Sequence, residues 1–161
     1  MKKVVLVIAL ALVVILAACQ PTQKPVVIKT EGGTVTLDQL GKTLPGFGVL
    51  MHRVGLRITN TFYAAQAGNW DLAEYELEEM KEDFQTGQIT RPERKQAVQT
   101  FLDGAFAKLE KATKAKKFND FKTVFDNTVK ACNGCHTSSD KPFIQYQLPA
   151  APIDVLNLQA K

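Results

Sequence analysis

The sequence predicts an all-α protein: an antiparallel up-down four-helix bundle at residues 44–139, followed by an extended tail at 140–161. Three observations carry that reading. From Pro45 onward, apolar residues recur at steps of three and four, the spacing that lines one face of a helix. Cap and turn residues cut the pattern into four stretches. The connections between stretches are short, and short connections make neighbouring helices antiparallel.

The first stretch places Phe47, Met51, Val54, Ile58, Phe62 and Ala65 on one stripe and ends near Gly68. Asn69 is the expected N-cap of the second, whose stripe is Ala73, Leu77, Met80 and Phe84. Asp71, Glu74, Glu78 and Glu82 take its opposite, solvated side, and Gly87 is expected to stop it. Thr90-Arg91-Pro92-Glu93 has the form of a capping box with proline in the first turn. It opens a third helix with the stripe Val98, Leu102, Ala105, Leu109 and Ala112. Lys108, Lys111, Lys114, Lys116 and Lys117 crowd the end of that helix, where cations suit the dipole. In the fourth stretch Phe121, Phe125, Thr128, Cys132 and Cys135 again fall at helical steps, and Pro142 and Pro149 mark the tail.

The N-terminus has a different character. Met1-Lys2-Lys3 precedes an apolar run from Val4 to Ala18, the charged and hydrophobic regions of a secretory signal. The run is short for a membrane-spanning helix. It ends in Leu16-Ala17-Ala18-Cys19, which resembles the lipobox of bacterial lipoproteins. The resemblance implies a signal peptide at 1–18 and lipidation of Cys19 as the first mature residue. The protein is then exported and lipid-anchored to a bacterial membrane, facing the periplasm or the cell exterior. Acyl chains hold such an anchor by burying methylenes at about 0.8 kcal/mol each. An ordinary signal peptide with a chance cysteine, and an uncleaved anchor, stand as alternatives; both still export the chain. In a host with two membranes, Gln20 resembles the signal for outer-membrane sorting. Residues 19–43, with Pro21, Pro25, Gly32-Gly33 and short β-branched runs, read as a tether containing at most one extended stretch.

Composition narrows the function. The full chain of 161 residues carries +4 at pH 7, and losing Lys2 and Lys3 with the signal leaves +2. So weak an excess argues against nucleic acid as a partner. The mature length suits one domain with a modest core. Of three cysteines, Cys19 belongs to the lipobox, which leaves Cys132 and Cys135 together in one motif.

That motif, Cys132-Asn133-Gly134-Cys135-His136, is Cys-x-x-Cys-His, the attachment signature of c-type haem. At this spacing two thiols on about one helical turn can each reach a vinyl group of one porphyrin and form thioethers. The neighbouring imidazole is then directed at the iron as proximal ligand. The expected cofactor is one covalent haem c. A structural disulfide, a redox dithiol, or a Cys2His2 zinc site made from Cys132, Cys135, His136 and His52 are the alternatives.

A haem motif at the end of the last of four helices resembles the cytochrome c-prime class of four-helix cytochromes. A closer likeness is to a little-described set of bacterial proteins with the same motif. It rests on Leu44-Pro45-Gly46-Phe47-Gly48 with Met51, on Gly68-Asn69-Trp70-Asp71-Leu72-Ala73 through Tyr75-Glu76-Leu77, and on Cys132 to His136 followed by Phe143-Ile144. It covers most of residues 44–150 and implies haem without naming a substrate.

In an up-down bundle the start of the first helix lies beside the end of the last, so Met51 falls at the height of His136. A thioether there completes a six-coordinate, low-spin iron; core filler is the alternative use of Met51. His52, one residue on and about 100° round the helix, is the rival distal ligand. Arg53 and Arg57, one turn apart, are candidates to pair with the haem propionates, or are ordinary surface charge. Trp70 and Tyr75 either touch the porphyrin edge or fill the core. A di-iron site needs Glu-x-x-His on two helices, and neither His52 nor His136 has a Glu three residues earlier.

The expected function is one-electron transfer by a membrane-anchored monohaem cytochrome with redox-protein partners, and homodimerisation is left open. The lysines from Lys108 to Lys117 either dock an acidic partner by electrostatic steering or solvate a helix end. A five-coordinate haem that binds or senses diatomic gases is the second reading, and a non-haem structural lipoprotein with a disulfide or zinc site the third. No general base or nucleophile constellation points to an enzyme.

Overall fold

The computed structural model describes residues 26–153 and 156–159, so the signal peptide, Cys19 and Gln20 lie outside the described residues. The chain divides into two units, residues 1–44 and 45–161.

In the first unit, β1 (Val27–Thr30) and β2 (Gly33–Thr36) form an antiparallel hairpin with Val27 opposite Thr36 and Thr30 opposite Gly33. The turn closes through Gly33 at φ 126°, which a residue without a Cβ adopts freely. Thr36 then caps a short helix, α1 (Leu37–Thr43): its hydroxyl accepts from the Gln39 N–H at 3.1 Å, and Gln39 Oε1 accepts from the Thr36 N–H at 2.8 Å. The stretch expected as a tether therefore holds local structure from residue 27 onward. Its bonds are short-range, and α1 buries none of its residues.

The second unit is mostly helical. It comprises α2 (Phe47–Gln66), α3 (Trp70–Thr90), a 3-10 turn (Pro92–Arg94), α4 (Lys95–Phe101), a π-helical turn (Leu102–Phe106), α5 (Ala107–Lys114) and α6 (Phe118–Ser138). Among the described residues no helix is long and apolar enough to cross a membrane.

The core draws on all of these helices. Val54, Ile58, Phe62 and Ala65 of α2 are buried, as are Ala73, Leu77, Met80 and Phe84 of α3. Phe62 meets Phe125 and Phe121 of α6 at ring-centroid distances of 4.8 and 6.4 Å. A second aromatic group joins Phe84, Phe101 and Phe106. Packing of an apolar stripe supplies most of the stability of such helices.

Three expectations are corrected. Gly87 does not stop the second helix, which runs on to Thr90. Gly87 is instead a buried contact point, where a Cβ would lie 2.9 Å from Cε2 of Phe47 on α2. The box at Thr90 to Glu93 does not form, because Thr90 is still inside α3 and Arg91 makes no side-chain cap bond. The stripe of the third helix also shifts. Val98, Leu102 and Leu109 are buried as expected, but Phe101, Phe106 and Thr113 join them while Ala105 and Ala112 are only partly covered. The π turn adds one residue between the halves and rotates the inward face beyond it.

Replacing Gly87 by alanine sets a helix-propensity gain of about 1 kcal/mol against an overpacking cost of about 1–3 kcal/mol. The expected outcome is a lower urea midpoint at unchanged m-value. A raised midpoint would mean that the Phe47 ring steps aside freely.

Candidate functional site

The cysteine motif lies within the last two turns of α6, and the way that helix ends decides its surroundings. Asp140 takes a left-handed conformation at φ 59°, one of the few side chains that tolerate it. The Lys141 N–H then bonds back to the His136 carbonyl at 2.9 Å, and the Ser139 N–H to that of Cys135 at 3.0 Å. This is the reversal by which helices commonly terminate. It turns residues 141–149 back along α6.

The returning segment is latched residue by residue. Ile144 presents its carbonyl to Nδ1 of His136 at 2.9 Å. A carbonyl can only accept, so Nδ1 is the donor and Nε2 is the ring nitrogen left for another partner. The side-chain amide of Asn133 pairs with both backbone groups of Tyr146: Nδ2 donates to its carbonyl at 3.0 Å, and Oδ1 accepts from its N–H at 2.8 Å. The Tyr146 phenol reaches Thr59 of α2 at 2.9 Å. Thr59 already donates to the Gly55 carbonyl, so Tyr146 donates to Thr59. The Tyr63 hydroxyl donates to the Pro149 carbonyl, and further along Asn69 Nδ2 donates to the Gln159 carbonyl. Among the described residues the tail holds no helix or strand, and it is pinned to both α6 and α2.

Cys132 and Cys135 are free thiols, and each residue is partly covered. Burial pushes the Cys132 thiol up to about 12, with a smaller contribution from neighbouring Cys135. Burial also raises Tyr146, partly offset by its bond to Thr59. Cys132 packs against the same core as Tyr146 and Met51.

The other sequence candidates fall in distinct places. Met51 is half-buried on the core side of α2, whereas adjacent His52 is exposed. Trp70 packs edge-on against Phe121 at 5.8 Å, three helical turns before the motif, and Tyr75 is exposed. Lys108, Lys111, Lys114, Lys116 and Lys117 are all exposed, and Lys116 reaches Asp71 at 3.3 Å. Among the described residues no three His, Cys, Asp or Glu side chains converge as a metal site.

Both arginines face α3. Arg57 donates through Nε to Asp83 at 3.1 Å, through Nη1 to Glu76 at 3.1 Å and through Nη2 to Glu79 at 2.9 Å. Arg53 pairs with the other oxygen of Asp83 at 2.8 Å, and Asn60 donates to Glu76 at 3.2 Å. Burial opposes the charge of Arg57, but the bonds and charges of Asp83 and Glu76 outweigh it, so its pKa is raised. Sequence reasoning missed Glu76 and Asp83, which lie on the buried face of α3. Their signal was present: Glu76 and Asp83 interleave with Ala73, Leu77, Met80 and Phe84 at helical spacing, opposite Arg53, Arg57 and Asn60.

Comparison with family models, curated proteins and solved structures finds no match.

The buried seam and the Cys132 thiol each carry an expected outcome. Arg57→Ala leaves Asp83 to Arg53 and Glu76 to Asn60 but removes the guanidinium that joins both buried carboxylates, and is expected to cost about 3 kcal/mol in urea unfolding; a loss below about 1 kcal/mol would mean that water replaces the guanidinium. Cys132, its thiol raised by burial and partly covered in the folded chain, is expected to alkylate at pH 8 at least about ten-fold more slowly than in the unfolded chain, read by peptide mass spectrometry. Its raised pKa also removes stability as pH climbs from about 9, the unfolded value, to about 12.

Proposed function

We propose that this chain is a membrane-anchored, monohaem c-type cytochrome that transfers single electrons, built as an antiparallel up-down bundle of the helical segments α2, α3, α4–α5 and α6. The observation that carries the reading is the state of His136. A metal-ligating histidine ordinarily donates its other ring N–H to a carbonyl or carboxylate. Here Nδ1 is bound at 2.9 Å by the Ile144 carbonyl, which leaves Nε2 as the donor atom. Two free thiols lie on the same helix, four residues and one residue before it.

The donor set fits the group. Cys132 and Cys135 would hold haem c by thioethers and His136 would hold its iron; the haem supplies a one-electron couple whose potential the protein sets through ligands, hydrogen bonds and burial. The chain's own contribution is to orient His136 through the Ile144 carbonyl and to cover Cys132.

Met51 is the proposed distal ligand. The Phe62–Phe125 contact at 4.8 Å fixes one level at which α2 and α6 meet. With the two helices antiparallel, stepping eleven residues back to Met51 and eleven forward to His136 covers about 16 Å along each, which brings both to one height. His52 is less suited, since it is exposed. Arg53 and Arg57 are engaged by α3 carboxylates and are not assigned to the propionates. Cys19 supplies the lipid anchor and redox proteins the partners, with no role for nucleic acid and none as an enzyme.

The test is the pyridine haemochrome and the oxidised and reduced optical spectra of the full chain, matured in a host that makes c-type cytochromes, beside Met51→Ala. A thioether-type haemochrome is expected, with sharp reduced bands and a weak far-red iron–methionine band that vanishes in the variant. A high-spin spectrum unchanged in Met51→Ala and shifted by carbon monoxide would replace electron transfer by gas binding. Absence of covalent haem would leave a disulfide or zinc lipoprotein.

A further inference from the structure

The segment after the motif is bound at two points of the motif itself. His136 donates from Nδ1 to Ile144, and Asn133, one of the two residues between the cysteines, pairs with both backbone groups of Tyr146 two positions on. The position of the Ile144 carbonyl is therefore set from both sides. On the near side it is set by the cap bond from Lys141 to the His136 carbonyl and by the Ile144 N–H, which donates to the Lys141 carbonyl at 3.0 Å. On the far side it is set by Asn133. An amide that matches one N–H and one C=O of an extended residue imitates a rung of a β-ladder, and alanine, aspartate or serine cannot make both bonds. The Tyr146–Thr59 and Tyr63–Pro149 bonds anchor the rest of the segment to α2.

We propose that Asn133 is a positioning residue for the proximal histidine: it holds residues 142–149 as a strap whose Ile144 carbonyl orients His136 and makes it a more electron-rich ligand. This rests on the haem reading above. A carbonyl accepting from Nδ1–H increases the basicity of Nε2. A more basic ligand favours ferric over ferrous iron, so the strap lowers the reduction potential, and releasing it raises the potential.

Asn133 has two separable bonds, so the substitutions grade the effect. Asn133→Ala removes both. Asn133→Asp keeps the acceptor for the Tyr146 N–H and loses the donor. Tyr146→Phe removes only the bond to Thr59 and leaves the backbone pair in place.

The experiment uses the full-length chain purified in detergent. In the haem-loaded protein the reduction potential is expected to rise in Asn133→Ala, to rise less in Asn133→Asp, and to stay at the wild-type value in Tyr146→Phe. Faster exchange of the Ile144 and Tyr146 amides in Asn133→Ala would confirm that the strap has been released. An unchanged potential in Asn133→Ala with those amides exchanging faster overturns the proposal. The chain without haem gives a second reading through the ¹⁵N shifts of the His136 ring. Wild type is expected to show the Nδ1–H tautomer alone, and Asn133→Ala a mixture; the same ring shifts in both overturn the proposal. If wild type takes up no haem, the cytochrome reading fails on its own evidence while the ring shifts still decide the role of Asn133.

Discussion

Two arginines and three carboxylates meet between α2 and α3, and the two buried carboxylates cannot be left there alone. Asp83 and Glu76 are almost wholly removed from water, at 2% and 3% side-chain exposure, and an uncompensated buried charge costs several kcal/mol. Arg57 reaches three carboxylates of α3 at once, and with Arg53 on Asp83 and Asn60 on Glu76 the contacts hold α2 and α3 antiparallel in one register. That register also seats Phe47 on Gly87 and turns Val54, Ile58 and Phe62 away from the polar seam, toward the shared core. An apolar pair of helices could slide by a turn with little penalty; this pair cannot without breaking charge-assisted bonds.

The other end of the unit is governed by a helix terminus. The last carbonyls of α6 need donors, and the left-handed Asp140 supplies them by reversing the chain. The same reversal delivers Ile144 to His136 and Tyr146 to Asn133. Capping a helix and orienting an imidazole are thus one event. The strap then crosses to α2 through Thr59 and Tyr63, the helix that also carries Met51.

Much of this is legible in the sequence. The stripes on α3 and α6 can be read directly, as at Ala73, Leu77, Met80 and Phe84, whereas on α2 Thr59, Asn60 and Thr61 are buried beside the expected Ile58 and Phe62, because that helix packs against both α3 and α6. The third stripe departs from expectation at the π turn, because an inserted residue leaves no mark in the pattern until Phe106 and Thr113 turn out to be inside. Gly87 suggests a terminator because glycine stops a helix and permits a close approach with equal ease; Phe47, forty residues away, decides between them. Glu76 and Asp83 escape notice because charge suggests solvent, and only a partner on another helix reverses that expectation. At the motif, the residue types and spacing of Cys132, Cys135 and His136 are plain. The strap is not, since Asn133 and Ile144 are joined by a reversal that no periodicity announces.

The strap also bears on how such a site could be assembled. Its bonds are mostly single hydrogen bonds, each worth about 1 kcal/mol net, and several of its side chains, Phe143 and Ile144 among them, remain exposed. A segment with few buried apolar contacts opens before the helices that carry it. Cys132, by contrast, is partly covered, with burial holding its thiol neutral, and it packs with Tyr146 against the same core. The weakness of the strap's bonds lets it lift without unfolding α2 or α6. When the strap is in place, the same bonds fix the imidazole. A tail that was weak as structure becomes decisive as orientation, because an imidazole needs only one well-placed acceptor to fix which of its nitrogens donates.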